Sequence, residues 1–457
     1  MQESDYITDI CQKEVRGLCY EPKINGISVY NYIKRQIRSL ELKRHGCSQN
    51  IGKVPLQPGK ILGSFFLSLW QVLSLLLLNK KASFFIYSFF RTDSVNGKYL
   101  DKFTDPLVDY TSIKDDYVIF DRGNHGIHRK PRLHHKKIVY TDAINDIAYV
   151  WAFLFVRFFV KRNDKILERL WQSINHSFPE ITYDKKSISR TIYYLSTLTK
   201  FYGFLMRRMG VRYMLAPARH AFLPLIPAAK VNGVKVLELQ HGITYSETLT
   251  YSGFRDSDFT PDFFLSFGEM HPDDVYGIEK DKIINIGWAF GDYIKKNISD
   301  VEKNDTDVLV ISEPQITKRL ISAVMKLASE NQNTVFYFRP HPLEHLDEQD
   351  LTNIKSMNNV RLDDNTQNIM ATLMRFMFVI GENSTVLYEA LSMGKKVGKI
   401  RMDGLQPIYL QPEDEQLFGT ITDIVSFQSY LGKSDNCITN RSIYAPFSIS
   451  AFEKLLT

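Results

Sequence analysis

Three groups of residues stand where short apolar runs end, and each could handle a phosphate-bearing ligand. His241 follows the run Val234–Leu239 and precedes Gly242. As neutral imidazole it could take a proton, and as imidazolium it could hold a phosphate oxygen. Arg339-Pro340-His341-Pro342 closes the run that begins at Val335. The prolines restrict the backbone there, so the Arg339 fork and the His341 ring would be aimed reproducibly at phosphate oxygens. Glu382-Asn383-Ser384-Thr385 and Glu389 follow the run Met377–Gly381. Asn383 or Ser384 can cap a helix that ends at Gly394, and its first-turn N–H groups and hydroxyls would make an anion seat. Glu389 lies about one and a half turns farther on, in reach of a ribose hydroxyl. Each feature has a structural alternative: a satisfied core histidine, an arginine in an ordinary ion pair, a plainly capped helix.

The elements that must carry these groups read as short strands alternating with helical stretches, the pattern of an α/β protein with parallel sheets. One series of strands is expected at 83–89, 117–120, 137–140, 213–216, 234–239, 263–267 and 283–286. A second begins after Asp307 and continues at 335–339, 360–362, 377–381 and 396–400. The polar stretch between them suits a linker. The expected division is 1–80 as a helical, membrane-associating extension, 81–290 as a first Rossmann-like unit for the acceptor, 291–306 as linker, and 307–457 as a second for the donor. Two doubly wound units would place a cleft beyond their strand C-termini, where open α/β sheets bind ligands.

Composition narrows the function classes. The 457 residues are 44% hydrophobic and 24% charged, which suits a folded chain with ample core. Cys11, Cys19, Cys47 and Cys437 form no CxxC pair, against a disulfide framework or a thiolate zinc site. There is no GxxxxGK[ST] or GxGxxG, which weakens ATPase and dinucleotide readings. The first 25 residues lack a secretory signal pattern, so a cytoplasmic location is expected.

Charge is divided unevenly. Residues 1–225 hold 35 Lys and Arg against 19 Asp and Glu, and the remainder 22 against 32. A basic half could face anionic lipid or a phosphorylated acceptor; with no reader module or aromatic-interleaved basic motif, nucleic acid is not expected. Residues 121–137 pack four histidines and six Lys or Arg into 17 positions. His125 and His128 there, with Arg219 and His220, are candidates to grip an anionic acceptor; a solvated basic loop is the alternative.

Two apolar runs raise a membrane question. Ile61–Leu78 has 18 residues without formal charge, but Ser64, Ser68, Gln71 and Ser74 recur on one helical stripe. Ile147–Val160 is too short to span and contains Arg157. Both suit a peripheral protein whose greasy, basic-flanked surface enters the interface of the inner membrane face. Buried helices, or one spanning helix, are the alternatives.

Gln240-His241-Gly242, Pro261–Glu269, Ile284–Gly287, Arg339–Pro342 and Gly381–Val397, in that order, resemble a bacterial GT-B glycosyltransferase of capsule or lipopolysaccharide assembly. The His-Pro pair followed by a Ser/Thr-rich helix start is similar to the donor motifs of sialyltransferases and β-Kdo transferases. It is also similar to those of CDP-glycerol phosphotransferases and, more distantly, UDP-N-acetylglucosamine 2-epimerases. The resemblance implies a GT-B-like fold, a CMP- or UDP-sugar donor, and a surface polysaccharide or lipid-linked glycan as acceptor. It also implies that His341, Ser384 and Thr385 contact donor phosphates and Glu389 the nucleoside. No cofactor and no metal are expected, since no DxD stands at a strand end in the second unit. His241 is the first choice for catalytic base, with Glu269 and Asp121 behind it. Polyol-phosphate transfer from a CDP-alcohol and a non-enzymatic export or scaffold role are the alternatives.

Overall fold

The computed structural model describes residues 3–45, 57–88, 92–123, 126–219, 222–243, 251–271, 277–298, 301–409, 415–432 and 443–456. Seven strands form an all-parallel sheet in the order Ile283–Asn285, Phe263–Ser266, Lys235–Leu239, Tyr213–Pro217, Phe84–Ser88, Tyr117–Asp121, Ile138–Tyr140. Strands 84–88, 117–121 and 213–217 are buried along their whole length, which is why they read as unbroken apolar runs instead of alternating ones. The chain starts in the middle at 84–88, adds strands on one side, then reverses and continues from 213–217 on the other.

Six strands form a second parallel sheet, in the order Val360–Leu362, Phe336–Arg339, Asn304–Ile311, Phe376–Gly381, Lys396–Ile400, Gly419–Ile421. Here the reversal falls between 304–311 and 376–381. In open sheets such reversals leave a crevice beyond the strand ends, and ligands settle there.

One apolar core runs from the first sheet into the second, joining Phe103 and Phe267 to Leu309, Val379, Leu387 and Tyr388. The other face of the second sheet has its own core. A further core lies under the N-terminal helices Glu3–Arg16 and Tyr30–Arg44, packed against Asp164–Ser177 and Lys185–Met209. It encloses an ion pair: Arg38 Nε and Nη2 donate to the two Glu14 oxygens at 2.7 and 2.6 Å, and the Tyr20 and Tyr30 hydroxyls donate to the same carboxylate.

The stripe of small polar residues on helix Pro58–Leu77 faces protein. Ser68 Oγ donates to Tyr140 O at 2.6 Å and accepts from Ala143 N. Gln71 accepts from Tyr140 N at 2.9 Å and donates to Ile138 O at 3.2 Å. Strand 138–140 is an edge, so one glutamine amide occupies backbone groups that a further strand would otherwise claim.

Three sequence expectations change. The stretch expected as linker is partly helix, Ala289–Asn297, with Ala289, Phe290 and Ile294 buried on one face, and strand 304–311 begins before it ends. Its polarity came from the helix's outer side. Residues 443–456, assigned to the second unit, hydrogen-bond to the first: Ala445 N donates to Phe267 O at 2.7 Å and Ser448 N to Ile286 O at 2.8 Å. A hairpin at Thr92–Val95 and Lys98–Asp101 was missed, although its turn, Asn96-Gly97 with both residues at positive φ, is the strongest short hairpin signal.

Candidate active site

At the reversal of the second sheet the strand ends are stitched together. A Cβ on Gly381 would stand 2.9 Å from Ile311 O, so only glycine lets strand 376–381 end flush against its neighbour. Ser384 then caps helix Thr385–Ser392, accepting from Val386 N. Asn383 N, just before that helix, donates to Glu313 Oε1 at 3.0 Å. A carboxylate of the chain itself therefore occupies part of the expected anion seat. Burial pushes the Glu313 carboxyl up, with neighbouring Glu382 adding to this and the backbone N–H groups opposing it.

One strand over, Glu344 accepts from Ser312 Oγ at 2.8 Å, Thr317 Oγ1 at 2.6 Å and His341 N at 2.8 Å, fixing the turn that carries His341. Leu343 N donates to His341 Nδ1 at 3.1 Å, which makes Nδ1 an acceptor and places the ring proton on Nε2. The turn thus makes Nε2–H the donor group of the His341 ring.

The first sheet supplies a relay behind His241. Arg219 N and Nε donate to the two oxygens of buried Glu238 at 2.7 and 2.8 Å. Tyr251 OH donates to Glu238 Oε1 at 3.2 Å and lies 3.2 Å from His241 Nδ1. Because the carboxylate only accepts, the tyrosine proton points to Glu238 and its oxygen accepts from His241 Nδ1–H. Nε2 is then the nitrogen that can take a proton. Ala218, just before Arg219, is buried at a φ of 61°, a costly conformation for a residue with a Cβ. The N-terminal helices brace the relay, since Arg38 Nη1 donates to Ser252 O at 3.0 Å.

The two sheet ends meet. A Cβ on Gly242 would stand 3.1 Å from Thr385 Cγ2, placing the His241 turn against the start of helix 385–392. Lys102 Nζ, from the loop after the missed hairpin, reaches Glu389 Oε1 at 3.3 Å. Glu389 is buried and its Oε2 has no hydrogen-bond partner among the described residues. Burial raises its pKa, Lys102 opposes that, and Asp93 adds to it. His341 lies two strands from 376–381 on the same sheet edge, roughly 10 Å at ordinary strand spacing.

Several expected ligands have other work. Arg339 is only 8% exposed, and its guanidinium donates to Asp363 Oδ1 at 3.0 Å, Thr372 Oγ1 at 2.8 Å and Gln367 O at 2.6 Å. It pins loop 363–372 and is not presented to a phosphate. Glu382 accepts from Gln406 N and Asn383 Oδ1 from Ile408 N, so both side chains hold the 406–408 loop. Asp121 and His128 are buried in one network away from the cleft: His128 Nδ1 lies 2.9 Å from Asp121 and Nε2 lies 2.8 Å from Asp142 and 3.0 Å from Ser64. Asp121 also sits three strands from 235–239, too far to share a proton with anything at His241. Of the basic loop around it, Arg132 is buried against Asp105 and Asp121, while Arg122, Arg129, Lys130 and Lys136 are exposed. Glu269 is exposed on the strand-end loop beside His241. His125 and His220 lie outside the described residues. Glu238, Tyr251, Glu313, Glu344 and Lys102 were not singled out in the sequence.

No family model and no curated protein matches the chain. A solved structure described as a candidate UDP-N-acetylglucosamine 2-epimerase from Listeria monocytogenes superposes with a TM-score of 0.50 at 11% identity, over 82% of this chain and 95% of that one. A UDP-GlcNAc 2-epimerase from Neisseria meningitidis bound to UDP-GlcNAc gives 0.47 at 13%, over 82% and 98%. A glycosyltransferase from Rickettsia africae gives 0.46 at 12%, over 82% and 97%. At such identities the likeness is one of fold, and the chain is an α/β protein of GT-B-like architecture, with two Rossmann-like sheets whose strand ends face each other.

Proposed function

We propose that the chain is a glycosyltransferase that moves a sugar from a nucleotide-activated donor, a CMP- or UDP-sugar, to a growing bacterial surface polysaccharide or a lipid-linked glycan. The observation that carries this is the contact of Gly242 with Thr385 beside the Lys102–Glu389 pair. It brings the His241 turn of one sheet against the start of helix 385–392 on the other, which supports reading the histidine as a proton acceptor and the helix start as an anion site. Transfer needs the leaving phosphate neutralised and the acceptor hydroxyl deprotonated as the bond forms. His341 and the start of helix 385–392 serve the first need, and His241, oriented by Tyr251 and Glu238, the second. The donor phosphate would displace the Glu313 carboxylate from Asn383 N. Glu389 Oε2 would accept from a ribose hydroxyl. Leaving-group stabilisation by these groups without a metal is part of the proposal, as is the narrower likeness to sialyl- and β-Kdo-transferases. A lipid-linked acceptor would place the enzyme at the inner face of the cell membrane.

Calorimetry with CMP, CDP, UDP and GDP tests the reading. One nucleotide should bind to the purified chain, and His341→Ala should weaken it at least tenfold without lowering the melting temperature. No binding by any of the four would favour the export or scaffold role. Turnover of CDP-glycerol but of no nucleotide sugar would favour polyol-phosphate transfer.

A further inference from the structure

Helices Pro58–Leu77 and Asp142–Arg162 pack side by side, the first against the edge strand of the first sheet and the second against helix Lys185–Met209. The first turns Ser64, Ser68, Val72 and Leu75 inward, the second Ile144, Ala148, Ala152 and Val156. Their outer sides are apolar: Trp70 is 68% exposed, Leu77 80% and Phe158 71%, and Phe66, Val150 and Leu154 are exposed with them. More than half of the large apolar side chains that the described residues leave exposed sit on these two helices. Soluble monomers rarely collect so much in one place without a partner.

We infer that this helix pair is a monotopic docking face that lies in the plane of an anionic bilayer, with its outer side among the acyl chains. Charge selects that occupant. Lys60, Lys80, Lys81, Arg157, Lys161 and Arg162 are exposed along and at the ends of the pair. The first helix has no acidic residue, and the second has only Asp142 and Asp146 near its start. A second copy seated on the same face would set these cations against one another, because a two-fold interface pairs a patch with itself. Anionic headgroups neutralise them. Spanning is ruled out by Ser68 and Gln71, whose bonds to strand 138–140 hold one side of the first helix on the protein. Trp70 and exposed Trp151 are amphipathic side chains suited to the headgroup level.

The face is separate from the strand-end cleft, so docking and donor binding can fail independently. The full chain is floated with vesicles of phosphatidylcholine and phosphatidylglycerol, and with phosphatidylcholine alone. Binding should need the anionic lipid, weaken with salt and reverse in alkaline carbonate. The combined variant Phe66→Ser, Trp70→Ser, Leu154→Ser should partition about a hundredfold less, from three lost apolar insertions. Its melting temperature and nucleotide affinity should be unchanged. Lys80→Glu with Lys81→Glu should weaken binding and flatten its salt dependence. Wild-type protein that ignores vesicles, resists carbonate extraction, or instead forms a dimer that the triple variant dissolves would overturn the inference.

Discussion

His241 gains its chemistry from its neighbours. Glu238 accepts a hydrogen bond from the tyrosine, Tyr251 accepts one from Nδ1–H, and in the proposed role Nε2 acts as the base. His241→Ala should therefore lower kcat about a hundredfold or more with nucleotide affinity unchanged, the usual scale of general-base loss. Tyr251→Phe should cost less and shift the acid limb of the kcat profile, as a positioning residue would. Equal loss of nucleotide affinity in both variants would mean that the loop is merely structural. Glu313 allows an opposite expectation. Its carboxylate sits where a phosphate would compete for Asn383 N, so Glu313→Gln should tighten nucleotide binding about tenfold by removing a like charge; weaker binding would show that the carboxylate helps to build the seat. The strand ends that carry His241, Ser384 and Glu389 could be read in the sequence because a strand end followed by glycine or a cap is a local signal. The partner of Glu389 could not, since Lys102 lies 287 positions away and meets it only through the fold. Arg339 misled for a related reason: a strand-end arginine looks the same whether it faces a ligand or, as here, Asp363 and Thr372.

At the level of elements, the His128 network joins helix 58–77 to the first sheet through Ser64, Asp121 and Asp142. Burial pulls the imidazolium pKa down, but hydrogen bonds to the two aspartates outweigh it, and the value is raised above 6.5. The stability this gives is fully present below pH 6.5 and is lost as pH rises through the raised value. Burial alone would raise Asp142, yet the His128 bond leaves it below 3.8, so its contribution is present above pH 3.8 and lost as pH falls. His128→Gln should flatten the fall in melting temperature on the alkaline side, followed by differential scanning calorimetry; an unchanged pH profile would remove His128 from the linkage. The strand runs were legible because parallel strands buried on both faces are continuously apolar. The helix at 289–297 was not, because a half-exposed helix of nine residues with Gly291 and paired lysines reads as a linker.

At the scale of the molecule, the uneven charge acquires a location. Part of the basic surplus of residues 1–225 flanks the apolar helix pair, most of the rest is exposed elsewhere, and Arg38 and Arg132 are buried in ion pairs. The greasy runs announced themselves in the sequence, and Ser64, Ser68 and Gln71 gave the side that packs; that the remainder faces outward needed the sheet edge. The final segment, 443–456, returns to the first sheet, so the chain ties its two units together at both ends of the second one.

The central claim is that residues 240–243, 341–344 and 382–389 form one nucleotide site. Hydrogen exchange followed by mass spectrometry, with and without the best-binding nucleotide from the panel, tests it most directly. Slowed exchange in all three stretches, on both sheets, is the expected result. Protection confined to one of them, or to none at saturating nucleotide, would contradict it.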